Sequence, residues 1–373
     1  MRINLIRSKS LCESLSLSRA LGSDWSLFFA LALCLMHVHG VRACSILLPF
    51  RMAALVAESL ATSTRKTYSK LWSDFVSIAL AFRMSPLPVA AGDLEIILGH
   101  FAESKKSVPL TNAMLAAVSH AHAVAGFVLE RSPRLKLLLR GIGRRYTRPA
   151  VQSLPLSPSM VIDAINLLEG DHLRTRDFSK PRLLWRTVAS MVLSFSSLAR
   201  FDCMSKLQLS CLQFYLQNLQ IHFPSSKADQ LGRGELVLVG TVSGSAYCPV
   251  LFMKAYTLRL QWEAFCQGCF PFDGPLFPAL RPFRGRSRMM RTAFSRQGAS
   301  KAFREVLSQM GVPNPALFTL HSGRRGGATT AAMNGCSFLS IKRQGRWKSD
   351  SCPQRYIDEA TTRINNFSRY LGL

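Results

Sequence analysis

The feature that most constrains the fold is a glycine-rich segment near the C-terminal end, "TLHSGRRGGATTAA". Glycine costs roughly 1 kcal/mol relative to alanine inside a helix. Gly323, Gly326 and Gly327 in one helix therefore need a packing or ligand reason. On that helix His321 and Arg324 are three residues apart, so both side chains lie on one face and can converge on one anion. The segment predicts a helix that packs closely and presents an anion-binding pair.

Two aromatic residues follow this helix. Trp347 in "GRWKSD" supplies an indole N–H donor, and Tyr356 in "PQRYIDEA" comes nine residues later. Upstream, Arg200 in "SFSSLARFDCMSKL" and Lys227 in "IHFPSSKADQ" add two cations. Taken singly, these residues have ordinary explanations: a cation at a helix end, a solvated turn lysine and two core aromatics. Together with the histidine and arginine, they form the set a phosphodiester needs if a tyrosine oxygen is to attack it.

The charge balance also indicates a polyanionic partner. The chain has 47 Lys and Arg against 21 Asp and Glu, a net charge of +26 and a pI of about 10.4. Each cation that neutralises a nucleic-acid phosphate releases condensed counterions, which favours binding. Because 48% of the residues are apolar and only 18% are charged, the chain also has enough apolar side chains for a proper core. Its 373 residues suit one large domain or two ordinary ones.

The cysteine pattern favours neither a metal site nor a disulfide framework. Ten cysteines are scattered along the chain, and only Cys266 and Cys269 form a CxxC pair. With no second pair at finger-like spacing, we predict no metal site and no cofactor. Such a spread is typical of reduced thiols in a reducing compartment.

Residues 1–51 differ in composition from the rest of the chain, and the predicted fold comprises residues 52–373. Their start is rich in serine and cations and resembles an organellar transit peptide. The apolar run Leu27 to Met36 is half the length that spans a bilayer, and is also typical of a signal-peptide core with Val41 and Ala43 at its cleavage site. A third interpretation places the true start at Met52. Without this segment 41 basic and 19 acidic residues remain, so the charge is still +22.

Residues 52–148 show only helical periodicity and predict a bundle of about four helices. Ser63 or Thr64 is the expected N-cap of the first helix, and the last helix is expected to span about Ser132 to Arg145. Basic residues cluster at the two ends of the bundle and are candidate DNA contacts: Arg65, Lys66, Arg140, Arg144 and Arg145.

Residues 149–156 belong to a Pro- and Ser-rich stretch that predicts a flexible linker before a second domain, residues 157–373. That domain is predicted to have helices at about 158–169, 180–198 and 292–310, and a hairpin around "KADQLGRG". The fold class is therefore mainly α with a small antiparallel sheet (α+β).

These motifs, in this order, resemble those of the tyrosine recombinase (phage integrase) family. "HxxRRGGAT" after "FTL", "R-F-D" after an apolar helix, and the Trp–Tyr spacing carry the resemblance over 195–227 and 315–360. "STRKTYSKLWSDF" and "LLLRGIGRRYTRP" resemble the helical core-binding domain of the same enzymes more loosely. The residues of the motifs "HSGRRGGATTAA" and "GRWKSD" are similar to those in recombinases of eukaryotic mobile elements.

The resemblance implies a site-specific DNA recombinase or integrase that works through a 3′-phosphotyrosine. Arg200, His321, Arg324 and Trp347 would bind the phosphate, Tyr356 would attack it, and Lys227 would protonate the leaving 5′-oxygen. All six are expected to line one concave basic surface. The expected partners are double-stranded DNA and three further protomers, as a homotetramer on two DNA sites, without stable membrane association.

Three alternatives stay open at this point. A type IB topoisomerase shares the chemistry, although the compact basic bundle favours a recombinase. A domesticated DNA-binding protein that does not cut would keep the fold. A helical RNA- or ribosome-associated protein would explain the charge but not the spaced residue set. The expected location is the nucleus or nucleoid, or an organelle if residues 1–51 are a targeting segment.

Overall fold

The structure, a computed structural model, describes residues 59–148, 152–171, 179–225, 229, 233–283 and 286–356. The predictions for the targeting-like segment 1–51 and for Lys227 concern residues outside these ranges. Contacts divide the chain into two compact units, Met1–Ala150 and Val151–Leu373. The division falls within the predicted linker.

The described part of the first unit is a bundle of four helices. They are α1 (Thr62–Ala81), α2 (Ala91–Lys105), α3 (Val108–Val124) and α4 (Pro133–Tyr146). Each presents an apolar face to a shared core that includes Trp72, Phe75, Leu94, Ile97, Met114, Val118 and Leu135. The bundle agrees with the periodicity of the sequence.

The helix starts in this unit differ in how they are capped. Ser132 caps α4 by accepting a hydrogen bond from the Leu135 N–H at 3.0 Å, as its position before Pro133 predicts. The prediction of Ser63 or Thr64 as the cap of α1 is wrong. The helix begins at Thr62, and its cap position is Ala61, which has no side chain able to accept that bond.

The second unit is built around one apolar helix. Its helices are α5 (Pro158–Asp171), α6 (Ser179–Ser197), α7 (Phe201–Met204), α8 (Pro249–Cys266), α9 (Arg296–Gln309), α10 (Ser322–Met333) and α11 (Phe338–Gly345). Helix α6 packs against α5, α8, α9 and α10. Val188, Ala189 and Leu193 of α6 are fully buried, so this helix forms the centre of the core.

Two antiparallel sheets flank these helices. Strands β1 (Leu212–Phe214), β2 (Asn218–Phe223) and β3 (Glu235–Gly240) form one sheet in that order. Leu219 pairs with Val239 and Ile221 with Val237, so alternate side chains enter the core. This is the predicted hairpin. Strands β4 (Pro278–Phe283) and β5 (Arg286–Ala293) form a second hairpin that the sequence did not predict.

Part of the predicted flexible linker is instead docked on the second unit. The Leu154 N–H donates to the Leu317 carbonyl and the Leu156 N–H to that of Ser322, both at 3.0 Å. The Leu156 side chain is only 1% exposed. Residues 154–156 are therefore an ordered edge of the second unit, and the prediction of flexibility is wrong for them.

The described residues contain no helix long and apolar enough to cross a bilayer. Within the same residues, no three His, Cys, Asp or Glu side chains come together as metal ligands would.

Candidate active site

The glycines of α10 allow two helices and a loop to meet at backbone distance. A Cβ atom on Gly326 would lie 2.0 Å from the carbonyl oxygen of Leu156, and one on Gly327 would lie 2.1 Å from that of Phe195 in α6. Gly323 lies similarly close to Ser194. This close packing is the physical reason for glycine in this helix, and it fixes α10 against α6.

Arg324 lies in the cleft that this packing creates and is fully buried. Its guanidinium donates to the Leu198 carbonyl after α6, and to the Gly345 carbonyl at the end of α11 at 2.7 Å. Its Nε has no hydrogen-bond partner among the described residues. The guanidinium carbon lies 4.0 Å above the centre of the Trp347 ring. One side chain thus ties three segments of the site together.

His321 and Tyr356 form the second half of the site. His321 is the residue before α10, and its Nε2 lies 3.3 Å from the Tyr356 hydroxyl. Tyr356 is half-buried, within the helical residues 351–356. Its ring centre is 5.5 Å from that of Trp347, with the two planes tilted by 40°. A phenol therefore lies next to an imidazole, over the same tryptophan ring that covers Arg324.

The imidazole of His321 is neutral at ordinary pH. Desolvation of the ring by the surrounding protein, followed by the positive charges of Arg324, Arg200 and Arg325, lowers the pKa of His321 to about 4, although the residue as a whole is solvent-exposed. A neutral ring can accept the proton of a hydroxyl group at its unprotonated nitrogen. Given the 3.3 Å contact, that hydroxyl group is the one on Tyr356.

Arg200 is the residue before the short helix α7. It is half-buried, and no hydrogen bond or ion pair between described residues involves its side chain. Its charge contributes to lowering the pKa of both His321 and Arg324, although burial is the larger cause for each. Arg200 therefore faces the same site with its donors free of partners in the described chain.

The structure brings together five of the six predicted site residues, and the sixth, Lys227, lies outside the described residues. One geometric expectation needs correction. The cations were expected to line an open concave surface, but Arg324 is completely enclosed and Trp347 is 7% exposed. The reason is the docking of α11 and of the Tyr356 segment on α10, which covers the guanidinium.

The predicted DNA contacts of the first unit lie on α1 and α4. Lys66, Arg140 and Arg144 are exposed. Arg145 is also exposed but forms an ion pair with Glu103 at 3.0 Å, and Arg65 donates to the Thr62 hydroxyl at 3.2 Å. Their role as phosphate contacts stays a prediction.

Sequence reasoning missed two residues of the site. A Cβ on Gly345 would lie 1.8 Å from the Trp347 ring, so this position must be glycine for the ring to occupy its place. Arg346 is a buried arginine between Gly345 and Trp347. The segment "GRW" contained a signal for Gly345, because a glycine two residues before a tryptophan allows the ring to pack closely, but no local pattern indicates that Arg346 is buried.

Comparison with known proteins finds sequence and structural similarity to DNA recombinases and integrases. No family model matches the chain. An integrase/recombinase XerD homologue from Selenomonas ruminantium is 26% identical over 303 residues, covering 81% of this chain and 83% of the relative. The resemblance to tyrosine recombinases holds in sequence and in fold.

Two solved structures show the fold. The XerH site-specific recombinase matches with a TM-score of 0.57 at 11% identity, over 83% of this chain and 80% of its own. The integrase of transposon Tn1549 matches with a TM-score of 0.51 at 11% identity, over 82% of this chain and 93% of its own. Both alignments extend over most of the length of the tyrosine recombinase fold. The similarity to eukaryotic mobile elements stays a prediction.

Proposed function

We propose that this protein is a tyrosine-type DNA recombinase, which breaks and rejoins DNA through a 3′-phosphotyrosine intermediate. The observation that carries the proposal is the Tyr356 hydroxyl 3.3 Å from His321 Nε2, in a site that also holds Arg324 and Trp347. The XerH structure is of a complex with its difH substrate, and the Tn1549 integrase structure is of a complex with transposon end DNA. These complexes support DNA as the partner of this chain.

The chemistry follows from the donors and acceptors present. The Tyr356 oxygen attacks the scissile phosphorus and passes its proton to the neutral His321 ring. The bond from phosphorus to the 5′-oxygen breaks, and the departing oxygen takes a proton, for which Lys227 is the proposed donor. Arg200, Arg324 and the Trp347 N–H stabilise the charge on the phosphoryl oxygens. The new phosphotyrosine bond keeps the energy of the phosphodiester, so a second 5′-hydroxyl can reverse the step.

The enclosed Arg324 adds a condition to this mechanism. Its guanidinium is fully buried under Trp347, and two of its N–H groups are held by carbonyls. For a phosphate to reach the unpartnered Nε–H, the covering residues must move. The proposed mechanism therefore requires Trp347 and the Tyr356 segment to shift when the phosphate enters.

The test is a covalent adduct that depends on one hydroxyl. A duplex that the full chain selects from a random pool would be nicked next to the cleavage position, so that the cleaved strand diffuses away and the adduct is trapped. We expect a denaturant-resistant protein–DNA band with the wild type and with Tyr215→Phe, which changes a solvent-exposed tyrosine of the second unit. Tyr356→Phe should give no band while binding the duplex nearly as tightly. An adduct with Tyr356→Phe would exclude Tyr356 as the nucleophile.

The adduct assay, combined with DNA-binding and plasmid-relaxation measurements, separates the alternatives. Binding without any adduct would indicate a DNA-binding protein that does not cut. Relaxation of supercoiled plasmid without exchange between two duplexes would indicate a topoisomerase. The XerD homologue and the recombinase structures favour neither alternative.

A homotetramer on two duplexes is the proposed assembly for a full exchange, because four strands must be cut and rejoined. Sedimentation of the protein with two bound duplexes tests it. A complex no heavier than one protomer per duplex, under conditions that give recombinant product, would contradict it.

A further inference from the structure

Arg346 holds a guanidinium group directly beside the candidate active site. It follows Gly345, whose carbonyl accepts a hydrogen bond from Arg324, and precedes Trp347, whose ring covers Arg324. Its backbone ends helix α11 with φ 54°, a left-handed conformation that favours glycine. An arginine is thus kept at a position where the backbone alone would favour another residue.

The guanidinium of Arg346 is buried but poorly paired. The side chain is 4% exposed, and Nε, Nη1 and Nη2 have no hydrogen-bond partner among the described residues. The nearest carboxylate oxygen, Oε2 of Glu235, lies 3.6 Å from Nε, too far for a hydrogen bond. The guanidinium carbon stands 4.0 Å above the Phe223 ring instead.

Another arginine–glutamate pair shows that this chain can satisfy such a group elsewhere. In α8, Arg259 Nε donates to Glu263 Oε1 at 3.0 Å, and Arg182 Nε approaches Glu263 Oε2 at 3.3 Å. A buried arginine normally has its N–H groups paired in this way, because an unpaired buried donor or charge is costly. The charge of Arg346 is therefore left without hydrogen-bonding partners among the described residues.

The neighbours of Arg346 include two further guanidinium groups. Burial is the main cause that lowers the pKa of Arg346. Cys203 and Glu235 raise that pKa, and the positive charge of Arg200 lowers it. Arg346 in turn contributes to lowering the pKa of Arg324. Three guanidinium groups thus repel one another at one site, with Glu235 as the carboxylate near them. An incoming anion would relieve this repulsion.

We propose that Arg346 is a positioning residue of the recombinase reaction: an incompletely paired buried cation that strengthens the field of Arg200 and Arg324 at the scissile phosphate. The inference rests on the proposed function. With 4% of its side chain exposed, Arg346 does not contact DNA in this form and acts through its neighbours. Negative charge on the phosphoryl oxygens grows as the tyrosine oxygen attacks, so the field favours the transition state over bound DNA.

The experiment compares Arg346→Met, Arg346→Lys and Arg346→Gln in the full chain. Methionine keeps the length and burial of the side chain without its charge, and lysine keeps the charge without the planar fork. The measurements are the single-turnover rate of adduct formation on the nicked duplex, the Kd for the same duplex, and the Tm of the free protein. A matched control is Arg259→Met, which removes a hydrogen-bonded, half-buried arginine away from the site.

We expect Arg346→Met and Arg346→Gln to slow adduct formation about ten-fold or more. The Kd should stay within about two-fold, because Arg346 does not contact DNA. The Tm should not fall, because the substitution removes a buried cation that lacks hydrogen bonds. Arg346→Lys should restore most of the rate. Arg259→Met should lower the Tm and leave the rate of adduct formation unchanged.

Three outcomes would overturn the inference, and they are distinguishable. An adduct that forms at the same rate with Arg346→Met as with the wild type would reject the role of Arg346 alone. A slower rate with a matching fall in Tm and no rescue by lysine would show a merely structural residue. If the wild type formed no adduct at all, the proposed function itself would fail, and this inference with it.

Discussion

At the scale of single residues, the contact between His321 and Tyr356 couples the candidate nucleophile to a base. The phenol oxygen and Nε2 are 3.3 Å apart, and the ring is kept neutral by desolvation and by three nearby arginines. The arginines that would bind the phosphate are therefore also the groups that keep the proton acceptor unprotonated. Phosphate binding and proton acceptance by His321 thus depend on the same arginine charges.

This coupling predicts a pH dependence of stability. In the folded protein the pKa of His321 is about 4, below the ordinary value of 6.5. Between these values the unfolded chain binds a proton that the folded chain does not, so the free energy of unfolding falls as pH drops from 6.5 to 4. Above pH 6.5 the full stability is present.

Urea unfolding of wild type and His321→Asn across this pH range measures the effect. We expect a shallower loss of stability in the variant, because asparagine takes up no proton. Other histidines with lowered pKa, such as His122, contribute equally to both proteins and cancel. Identical slopes in the two proteins would show that His321 titrates normally.

At the scale of elements, the packing of α10 on α6 and on residues 154–156 decides where the site forms. Helix α10 positions Arg324 only because its glycines allow the backbones of Phe195 and Leu156 to approach. The stretch expected to be a flexible connection contributes Leu156 to this contact. The docked end of the linker is thus a structural part of the site.

The glycine contact can be tested by adding one methyl group. Gly326→Ala would place a Cβ 2.0 Å from a backbone oxygen, so a helix must shift, and we expect a loss of about 3 kcal/mol in the free energy of unfolding. Gly141→Ala in α4 is the matched control, since a Cβ there meets no atom within 4 Å.

The control should raise stability by about 0.5–1 kcal/mol, because alanine is the better helix former. Chemical unfolding monitored by circular dichroism measures both variants. Equal effects of the two substitutions would mean that the close contact at Gly326 is not present in solution.

At the scale of the whole molecule, charge dominates the expected behaviour. A net charge of +26 over 373 residues predicts strong binding to DNA through phosphate contacts. If roughly six to ten phosphates are contacted, the affinity should fall by about 10³ or more between 50 and 200 mM salt. Fluorescence anisotropy with a labelled duplex measures this fall.

Adduct formation by the same protein tests whether the reaction requires a metal ion. Because arginine, histidine and tryptophan donors surround the candidate nucleophile, we expect adduct formation in excess EDTA to equal that without it. Loss of the adduct in EDTA, with recovery in magnesium, would assign the protein to a metal-dependent class of nuclease or transposase.

Several features were determined by the sequence alone. Local periodicity was enough for the four-helix bundle, for α6 and for the hairpin of β2 and β3, because each buries an apolar face of regular spacing. The β4–β5 hairpin escaped prediction, since "PALRPF" and "RSRMMRTA" show little alternation and many charges. Their pairing depends on neighbours distant in the chain.

The site divides in the same way between sequence and tertiary structure. The types and order of Arg200, His321, Arg324, Trp347 and Tyr356 could be recognised without coordinates, because the chemistry of phosphate attack restricts which side chains serve. Only tertiary structure decided that Arg324 is enclosed, that residues 154–156 are docked, and that Arg346 is buried with its N–H groups unpaired. Burial and hydrogen bonding at these residues depend on contacts between segments more than a hundred residues apart in the chain. No local sequence pattern indicates which distant segments will be in contact.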